Sequence, residues 1–335
     1  MDAEVVAAID IGGTNTKIGI VDREGKILAR DVVRTTDFPE PKNLVAAVKA
    51  NINDLLNSLT SQPLNSSTPQ LLNSPTLQLK GVGIGAPNGN YFKGTIEFAP
   101  NLKWKGVIPL ADYFSEGLNV KAVLTNDANA AALGEMYFGG ARWMKDFIFV
   151  TLGTGLGSGF VANGKIIYGH DGFAGELGHV IVMQHGRQCG CGRKGCLEQY
   201  CSATGIVKTY FEIIRNSDPD AFNKIERRDV DAKYIFDKAM GGDENAFYAF
   251  NYTGEMLGLA LANSVAYTSP EAIFLFGGLA QAGELLFNPT ILSFEKNLLN
   301  IYRDKIKIIP SSLPENDAPL LGAASLIWNE LPNNI

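Results

Sequence analysis

Cysteine and histidine are scarce in this chain of 335 residues, which contains four cysteines and three histidines. So few cysteines cannot build the dense disulfide framework of a small secreted domain. An excess of positive charge is also missing, since the formal net charge is −6 and the isoelectric point lies near 5.2. Nucleic acid and membrane surfaces favour proteins with a basic face, so we expect neither as a partner.

Long hydrophobic runs are absent as well. Runs such as Phe147 to Val150 and Ala272 to Phe276 have the length of strands and fall far short of a membrane span. The first residues, Met-Asp-Ala-Glu-Val-Val, lack the basic and apolar regions of a signal peptide. We therefore expect a cytoplasmic protein. Hydrophobic residues make up 46% of a chain longer than one core usually serves, which favours two domains.

All four cysteines and two of the three histidines lie close together, between Gly175 and Cys201. Four of them have a spacing that fits a zinc site, because three thiolates and one imidazole complete a tetrahedral shell: His179, Cys189, Cys191 and Cys196. The fourth cysteine, Cys201, is expected to be a small buried residue. Two acids, Glu176 and Glu198, flank the group although a structural zinc site does not need them. They indicate that the loop also builds a binding site, and a purely loop-closing role is the alternative.

Two glycine-rich turns each follow an apolar strand and carry a threonine: Asp10 to Thr16 and Gly153 to Gly159. Backbone N–H groups at such turns, together with a threonine hydroxyl, can bind phosphate oxygens. Neither turn has the Gly-Lys-Ser/Thr of a Walker A loop. A glycine hairpin explains each turn taken alone, but the pair at matching places in two chain halves indicates a nucleotide. A third turn, Phe276 to Ala280, could admit an adenosine.

Two aspartates end predicted strands. Asp127 follows the strand Val120 to Thr125 and is a candidate general base for a sugar hydroxyl. The alternative is a structural role as the N-cap of the helix from Ala128 to Phe138. Asp10, at the end of the first strand, is the natural carboxylate to engage Mg²⁺, directly or through water.

A polar segment with a repeated pattern interrupts the first half of the chain. Leu, Asn, Ser, Thr and Gln recur at fixed places in three units of eight residues from 56 to 79. Such a unit is too short for the usual solenoid repeats. We expect an inserted surface loop at about residues 58–79 without a catalytic role, and a partner-binding arm is the alternative.

These motifs together resemble the ROK family of sugar kinases, within the actin-like ATPase superfamily, and are most similar to its bacterial glucokinases. The resemblance covers essentially the whole chain except roughly residues 58–79. It rests on five segments: Asp10-Ile-Gly-Gly-Thr14, Asn126-Asp127, Gly153-Thr154-Gly155, Gly175-Glu-Leu-Gly-His179 and Cys189-Gly-Cys-Gly-Arg-Lys-Gly-Cys196-Leu-Glu198.

The resemblance implies roles for individual residues. Asp127 is the implied catalytic base, and the zinc ligands are the four residues named above. The implied sugar contacts are Asn101, Asn126, Asp127, Glu176, His179 and Glu198. The implied nucleotide and cofactor positions are Asp10, Gly12, Gly13, Thr14, Lys17, Thr154, Gly155, Gly277 and Gly278. ATP, Mg²⁺ and a structural Zn²⁺ are the implied cofactors.

The fold implied by the resemblance is α/β, with two actin-like, ribonuclease H-like domains, a cleft between them and a structural zinc loop. We expect a smaller domain at residues 1–125, completed by the helix 318–335, and a larger one at 126–317. The implied reaction is phosphorylation of a hexose at its 6-hydroxyl, with glucose first and N-acetylglucosamine, N-acetylmannosamine or fructose behind. The family further implies a homo-oligomer, either dimer or tetramer.

Two functions of a different class are alternatives to that of a kinase. One is a transcriptional repressor of the same family, which would carry an extra N-terminal winged helix. The first predicted strand begins near Val5, and we therefore do not expect that domain. The other is a non-catalytic sugar-sensing regulator, against which the presence of Asp127 speaks.

Overall fold

The computed structural model describes residues 3–60 and 77–331, and its contacts divide the chain into two compact units. The first unit comprises Met1–Trp143, Tyr168–Ala174 and Ser312–Ile335, and the second comprises Met144–Ile167 and Gly175–Ser311. The division therefore falls at Trp143, and the domain boundary at residue 125 stays a prediction.

The first unit is built on a five-stranded sheet. Its strands are β1 (Ala3–Ile11), β2 (Asn15–Asp22), β3 (Ile27–Arg34), β4 (Leu77–Gly85) and β8 (Lys121–Thr125), in the order β3-β2-β1-β4-β8. The first three strands pair antiparallel, whereas β4 and β8 run parallel to β1. A small second sheet consists of β5 (Gly89–Asn90), β6 (Thr95–Glu97) and β7 (Val107–Ile108).

The described residues of this unit form four α-helices: α1 (Pro41–Thr60), α2 (Leu110–Leu118), α3 (Asp127–Phe138) and α9 (Ala318–Glu330). The apolar side of α1 packs with α2 and the sheet in one core that contains Ile9, Val48 and Phe114. The last helix, α9, lies against β1 and β4. Gly83 permits this contact, because a Cβ there would stand 1.8 Å from the carbonyl oxygen of Ala323.

The second unit repeats the sheet topology of the first. Its strands are β9 (Phe147–Leu152), β10 (Leu156–Ala162), β11 (Lys165–Ile166), β12 (Ala272–Phe276) and β13 (Lys307–Pro310), in the order β11-β10-β9-β12-β13. An antiparallel meander again pairs with two parallel strands. The two glycine turns that the sequence places at matching positions of two chain halves thus each join two antiparallel strands, and the α/β class is confirmed.

Five helices accompany this second sheet: α4 (Ala203–Ser217), α5 (Pro219–Lys224), α6 (Ala232–Met240), α7 (Glu244–Thr268) and α8 (Glu284–Asn297). Pro289 lies inside α8, and the helix continues through this proline. The pyrrolidine ring lies against α7 at Gly254, where a Cβ would stand 2.6 Å from it. Close helix packing therefore supports the proline inside α8.

Most of the predicted surface loop at about 58–79 lies outside the described residues, which omit 61–76. Its ends are regular, since residues up to Thr60 belong to α1 and residues from Leu77 belong to β4. Within the described ranges, no helix combines the length and apolarity that crossing a bilayer would require.

Candidate active site

Polar and charged residues meet at one edge of the first sheet. The strand register places Lys17 opposite Asp10, Asp10 beside Gly85, and Gly85 beside Thr125. The carboxyl ends of the parallel strands β1, β4 and β8 therefore share this edge, where α/β proteins commonly bind ligands. Asp127 follows Thr125 at the start of α3 and comes to lie at the same edge.

The structure decides which residue caps α3. Asn126 is the N-cap, and its Oδ1 accepts a hydrogen bond of 2.7 Å from the N–H of Asn129. The alternative that Asp127 is the N-cap is therefore wrong, because Asp127 already belongs to the first helical turn. One Asp127 oxygen accepts a bond of 2.9 Å from the Ala128 N–H, and the residue is exposed to solvent. A carboxylate that the fold does not consume as a cap is available for chemistry.

The two aspartates at this edge have raised pKa values. Burial, followed by the charge of Asp127, raises the pKa of Asp10 from 3.8 to about 6, although Lys17 lowers it. Loss of solvation among the surrounding protein atoms also raises the pKa of Asp127. This effect outweighs the backbone hydrogen bonds, which lower the pKa. The negative charges of two neighbouring carboxylates repel each other, and a bound divalent cation would offset this repulsion. Asp10 thus fits the predicted Mg²⁺ position.

Replacement of Asp10 by asparagine is expected to stabilise the cation-free protein while impairing function. A folded-state pKa above the unfolded value means that ionisation of Asp10 destabilises the fold above pH 6, and that this cost disappears as the pH falls toward 4. The rise from 3.8 to about 6 corresponds to at most roughly 3 kcal/mol. Thermal unfolding without Mg²⁺ should therefore show a higher Tm for Asp10→Asn than for wild type at pH 8, and a smaller difference at pH 4.5.

Asp54→Asn, an exposed substitution on α1, is the matched control and should leave the Tm nearly unchanged at both pH values. An Asp10→Asn protein that is less stable than wild type at pH 8 would contradict the assigned electrostatics.

The first glycine turn closes the β1–β2 hairpin beside a predicted sugar contact. The Gly12 N–H donates to the carbonyl of Asn15 at 2.9 Å, and Thr14 is exposed. A Cβ on Gly13 would stand 2.6 Å from the carbonyl oxygen of Asn101. The turn predicted to approach phosphate therefore contacts the segment that carries the exposed Asn101.

The second glycine turn, between β9 and β10, lies beside another predicted sugar contact. The N–H of Leu156 donates to Oε2 of Glu198 at 3.1 Å, whereas Thr154 is exposed. In the third turn, Gly277 is buried and has a left-handed φ of 100°, and Gly278 is exposed. A cavity of about 570 Å³ follows this turn, lined by residues of α6, α7 and α8 that include Phe236, Met240, Phe247, Asn251, Glu284 and Asn288.

The structure brings the four predicted metal ligands together. The ligand atoms of His179, Cys189, Cys191 and Cys196 all lie within 4.8 Å of one another. The Sγ atoms of Cys191 and Cys196 are 3.6 Å apart, and Nδ1 of His179 lies 3.7 Å from Sγ of Cys189. Two ligands at zinc distances in tetrahedral geometry stand about 3.8 Å apart. The donor set and its spacing therefore fit zinc.

The local protein structure also favours a thiolate in this group. Burial raises the pKa of Cys191. Hydrogen bonds from the backbone and side chain of Arg193 and from the neighbouring cysteines outweigh this rise and lower the pKa to about 6. The Arg193 guanidinium also donates to the carbonyl of His179 at 2.8 Å. Because Nδ1 of His179 faces the thiols, the other ring nitrogen is left for a different partner. Cys201 is buried and donates to the Thr253 carbonyl, apart from the group.

Sequence reasoning missed Arg187, which anchors the metal loop to α4. Its guanidinium makes two hydrogen bonds to the carboxylate of Glu212, at 2.9 and 2.6 Å, and stacks 4.4 Å from the ring centroid of Tyr200. It also donates to the carbonyls of Gln199 and Gly205 and to the Thr209 hydroxyl. The residue has no motif of its own, so only the folded contacts reveal it.

In the first unit, the sequence analysis did not single out Asn90. Its buried amide donates to the carbonyl of Asp171 at 2.7 Å and to Glu97, and accepts from the N–H groups of Phe92 and Lys93. The rings of Tyr91 and Tyr168 stack beside it at 4.1 Å. These contacts hold Tyr168–Ala174, the segment before Glu176, in the first unit.

Two sheets of one topology, a polar edge with two aspartates and a Cys₃His loop define the class of protein. The ROK family model matches residues 6–330, and the chain belongs to the ROK family. The glucokinase of Thermotoga maritima is 33% identical over 322 residues, which cover 95% of this chain and 96% of that protein.

A solved structure of a ROK family glucokinase from Streptomyces griseus, in complex with glucose and AMPPNP, is also similar. It has 32% identity and a TM-score of 0.73, and the match covers 96% of this chain and 98% of that one. The xylose repressor of Caldicellulosiruptor bescii is 30% identical over 256 residues, which cover 75% of this chain and 63% of the repressor. The comparisons therefore support a ROK sugar kinase in a family that also includes repressors.

Proposed function

We propose that this protein transfers the γ-phosphoryl group of ATP to the 6-hydroxyl of a hexose, with glucose as the preferred substrate. The observation that carries the proposal is the position of Asp127. Its carboxylate is exposed at the carboxyl edge of the sheet, while the neighbouring Asn126 provides the helix cap. The fold does not use this carboxylate as the helix cap, and the relatives that match over 95% of this chain include glucokinases.

In the proposed reaction, Asp127 accepts the proton of the 6-hydroxyl as the sugar oxygen forms its bond to the γ-phosphorus. The bond between that phosphorus and the β–γ bridging oxygen breaks, and ADP leaves. General base catalysis supplies about 10²–10⁴-fold in rate, and positioning and charge neutralisation supply the rest. Mg²⁺ held near Asp10 would neutralise phosphate charge.

Carboxylates and amides orient the hexose in this proposal. The contacts are Asn101, Asn126, Glu176, His179 and Glu198, which offer acceptors and donors of fixed geometry to the sugar hydroxyls. His179 would bind zinc through Nδ1 and would donate from its other ring nitrogen to the sugar. Together with Cys189, Cys191 and Cys196 it would hold a zinc ion whose contribution is to fix the loop.

The nucleotide contacts proposed are Gly12, Gly13, Thr14 and Lys17 for the first turn, and Thr154, Gly155, Gly277 and Gly278 for the other two. The cavity lined by α6, α7 and α8, which the segment after the third turn reaches at Ala282, suits the adenine base. Its volume lies in the usual range for ligand pockets, its aromatic side chains can pack against a planar ring, and Asn251 and Asn288 offer amides.

A coupled assay of ADP release tests the proposal. The purified protein is supplied with ATP and Mg²⁺ and with glucose, N-acetylglucosamine, N-acetylmannosamine, mannose or fructose in turn. We expect the highest kcat/KM with glucose. A preference for a 2-acetamido sugar would change the substrate and keep the kinase, whereas sugar binding by calorimetry without ADP release would favour a sugar-sensing regulator. The similarity to the xylose repressor is the observation that keeps this second function in view.

A further inference from the structure

The side chain of Glu198 rests directly on the second glycine turn. Besides the bond from the Leu156 N–H at 3.1 Å, its Oε2 faces Gly155 so closely that a Cβ on this glycine would stand 2.4 Å away. Real Cβ atoms essentially never approach an oxygen to this distance. Gly155 has no left-handed φ, so the backbone conformation does not require glycine. A side chain at this position would instead push the carboxylate end of Glu198 away from the turn.

Further hydrogen bonds join this turn to the segment that follows Glu198. The Gly153 carbonyl accepts from the N–H of Ala203 at 2.8 Å, and the Thr154 carbonyl accepts from the Thr204 hydroxyl at 3.0 Å. The Ser202 hydroxyl, the side chain that caps α4, donates to the Glu198 carbonyl at 2.7 Å. The turn Gly153–Leu156 and the segment Glu198–Thr204 are therefore bonded at three places, and a shift of one shifts the other.

We propose that Gly155 is a positioning residue for Glu198, and that the turn couples nucleotide binding to sugar binding. This inference rests on the proposed function, in which Glu198 contacts the hexose and the turn contacts the nucleotide. The missing side chain at Gly155 lets the carboxylate lie against the turn, where the Leu156 N–H fixes its direction. Gly155 thus serves the sugar site through Glu198 as well as the phosphate site through its backbone.

Coupling of the two ligands follows from the shared bonds. A nucleotide that orders the turn also orders the carboxylate, which lowers the cost of binding the sugar. By thermodynamic reciprocity, bound sugar favours the nucleotide by the same factor. Such coupling is typically about 5-fold to 150-fold in affinity.

Gly155→Ala is the first test. The added methyl group must displace the Glu198 carboxylate from the Leu156 N–H, and a hydrogen bond to a charged group is worth about 1.5–3 kcal/mol. We expect the dissociation constant for glucose, measured by calorimetry without nucleotide, to rise about tenfold or more. The matched control is Gly241→Ala, at the end of α6 and outside both bonded segments, where a Cβ would meet the carbonyl oxygens of Lys238 and Asp237 at 3.3 and 3.4 Å. Its glucose affinity should stay within about threefold of wild type.

A double-mutant cycle shows whether Gly155 acts through Glu198. In a Glu198→Ala background, Gly155→Ala should cause no further loss of glucose affinity, and the zinc content should equal that of wild type in every variant. An equal loss in both backgrounds, or the same loss in Gly241→Ala, would overturn the positioning role. If Glu198→Ala alone leaves glucose affinity intact, Glu198 does not contact the sugar. That result would reject this part of the proposed function and would not bear on how Gly155 places the carboxylate.

The coupling has its own readout, which does not require Gly155→Ala to fold. Wild-type protein should bind glucose more tightly in the presence of saturating AMPPNP, and Glu198→Ala should lose most of this enhancement. An undiminished enhancement in Glu198→Ala would refute the coupling.

Discussion

Asp127→Asn is expected to reduce kcat by about 10³-fold or more and to leave glucose binding measurable by calorimetry. The amide is isosteric with the carboxylate and retains an oxygen that can accept the Ala128 N–H, so the start of α3 should be preserved. What the substitution removes is the basic oxygen that takes the hydroxyl proton. The coupled ADP-release assay measures the first effect, and titration with glucose measures the second.

A matched control for this variant is Asp112→Asn, which replaces another exposed aspartate in the first turn of a helix. Loss of the favourable interaction with the helix dipole costs about 0.3–1 kcal/mol in either protein, but Asp112→Asn should retain wild-type turnover. Turnover by Asp127→Asn at the rate of Asp112→Asn would exclude Asp127 as the base.

Cys191→Ser is expected to abolish stoichiometric zinc binding and to weaken glucose binding by about tenfold or more. Cys191 is exposed, so the substitution changes the metal ligand without opening the core. A hydroxyl is a poor substitute for a thiolate, and the loop from Cys189 to Glu198 would lose the bond that closes it. Metal analysis of the purified protein gives the first result, and calorimetry with glucose gives the second.

The matched control is Cys201→Ser, at the buried cysteine outside the metal group. A serine there can still donate to the carbonyl of Thr253, so zinc should be retained. Wild-type protein purified without zinc would remove the basis of the prediction. Zinc loss with unchanged glucose affinity would show that Arg187, through Glu212 and Gln199, suffices to hold the sugar side of the loop.

Much of this architecture was predictable because its signals are local. An apolar strand that runs into a glycine turn specifies a hairpin, and the two such strands, β1 and β9, each enter the hairpin that this pattern indicates. The Cys₃His spacing indicated a metal site for the same reason, since few residues and a fixed chemistry define it. The proposed roles of Asp127 and Asp10 came from their places at strand ends together with the family resemblance.

The rest depended on contacts between residues far apart in the chain. No pattern near Gly155 reveals that Glu198 occupies the space beside it, and Arg187 gains its meaning only from α4. The sequence alone also could not assign the N-cap of α3. Asn126 and Asp127 are both good N-cap residues, and only the backbone angles distinguish them. The course of α8 through Pro289 likewise depends on the close approach of α7.

The packing of α9 on the first sheet bears on how the protein folds as it is synthesised. This helix begins at Ala318, whereas the strands it contacts begin at Ala3 and Leu77. A ribosome that has released only the first half of the chain therefore holds a sheet with one uncovered apolar face. Contacts of such large sequence separation form slowly and leave aggregation-prone surface exposed meanwhile. The first unit to be translated is thus the last able to complete its core, and the nascent chain should depend on chaperones until α9 emerges.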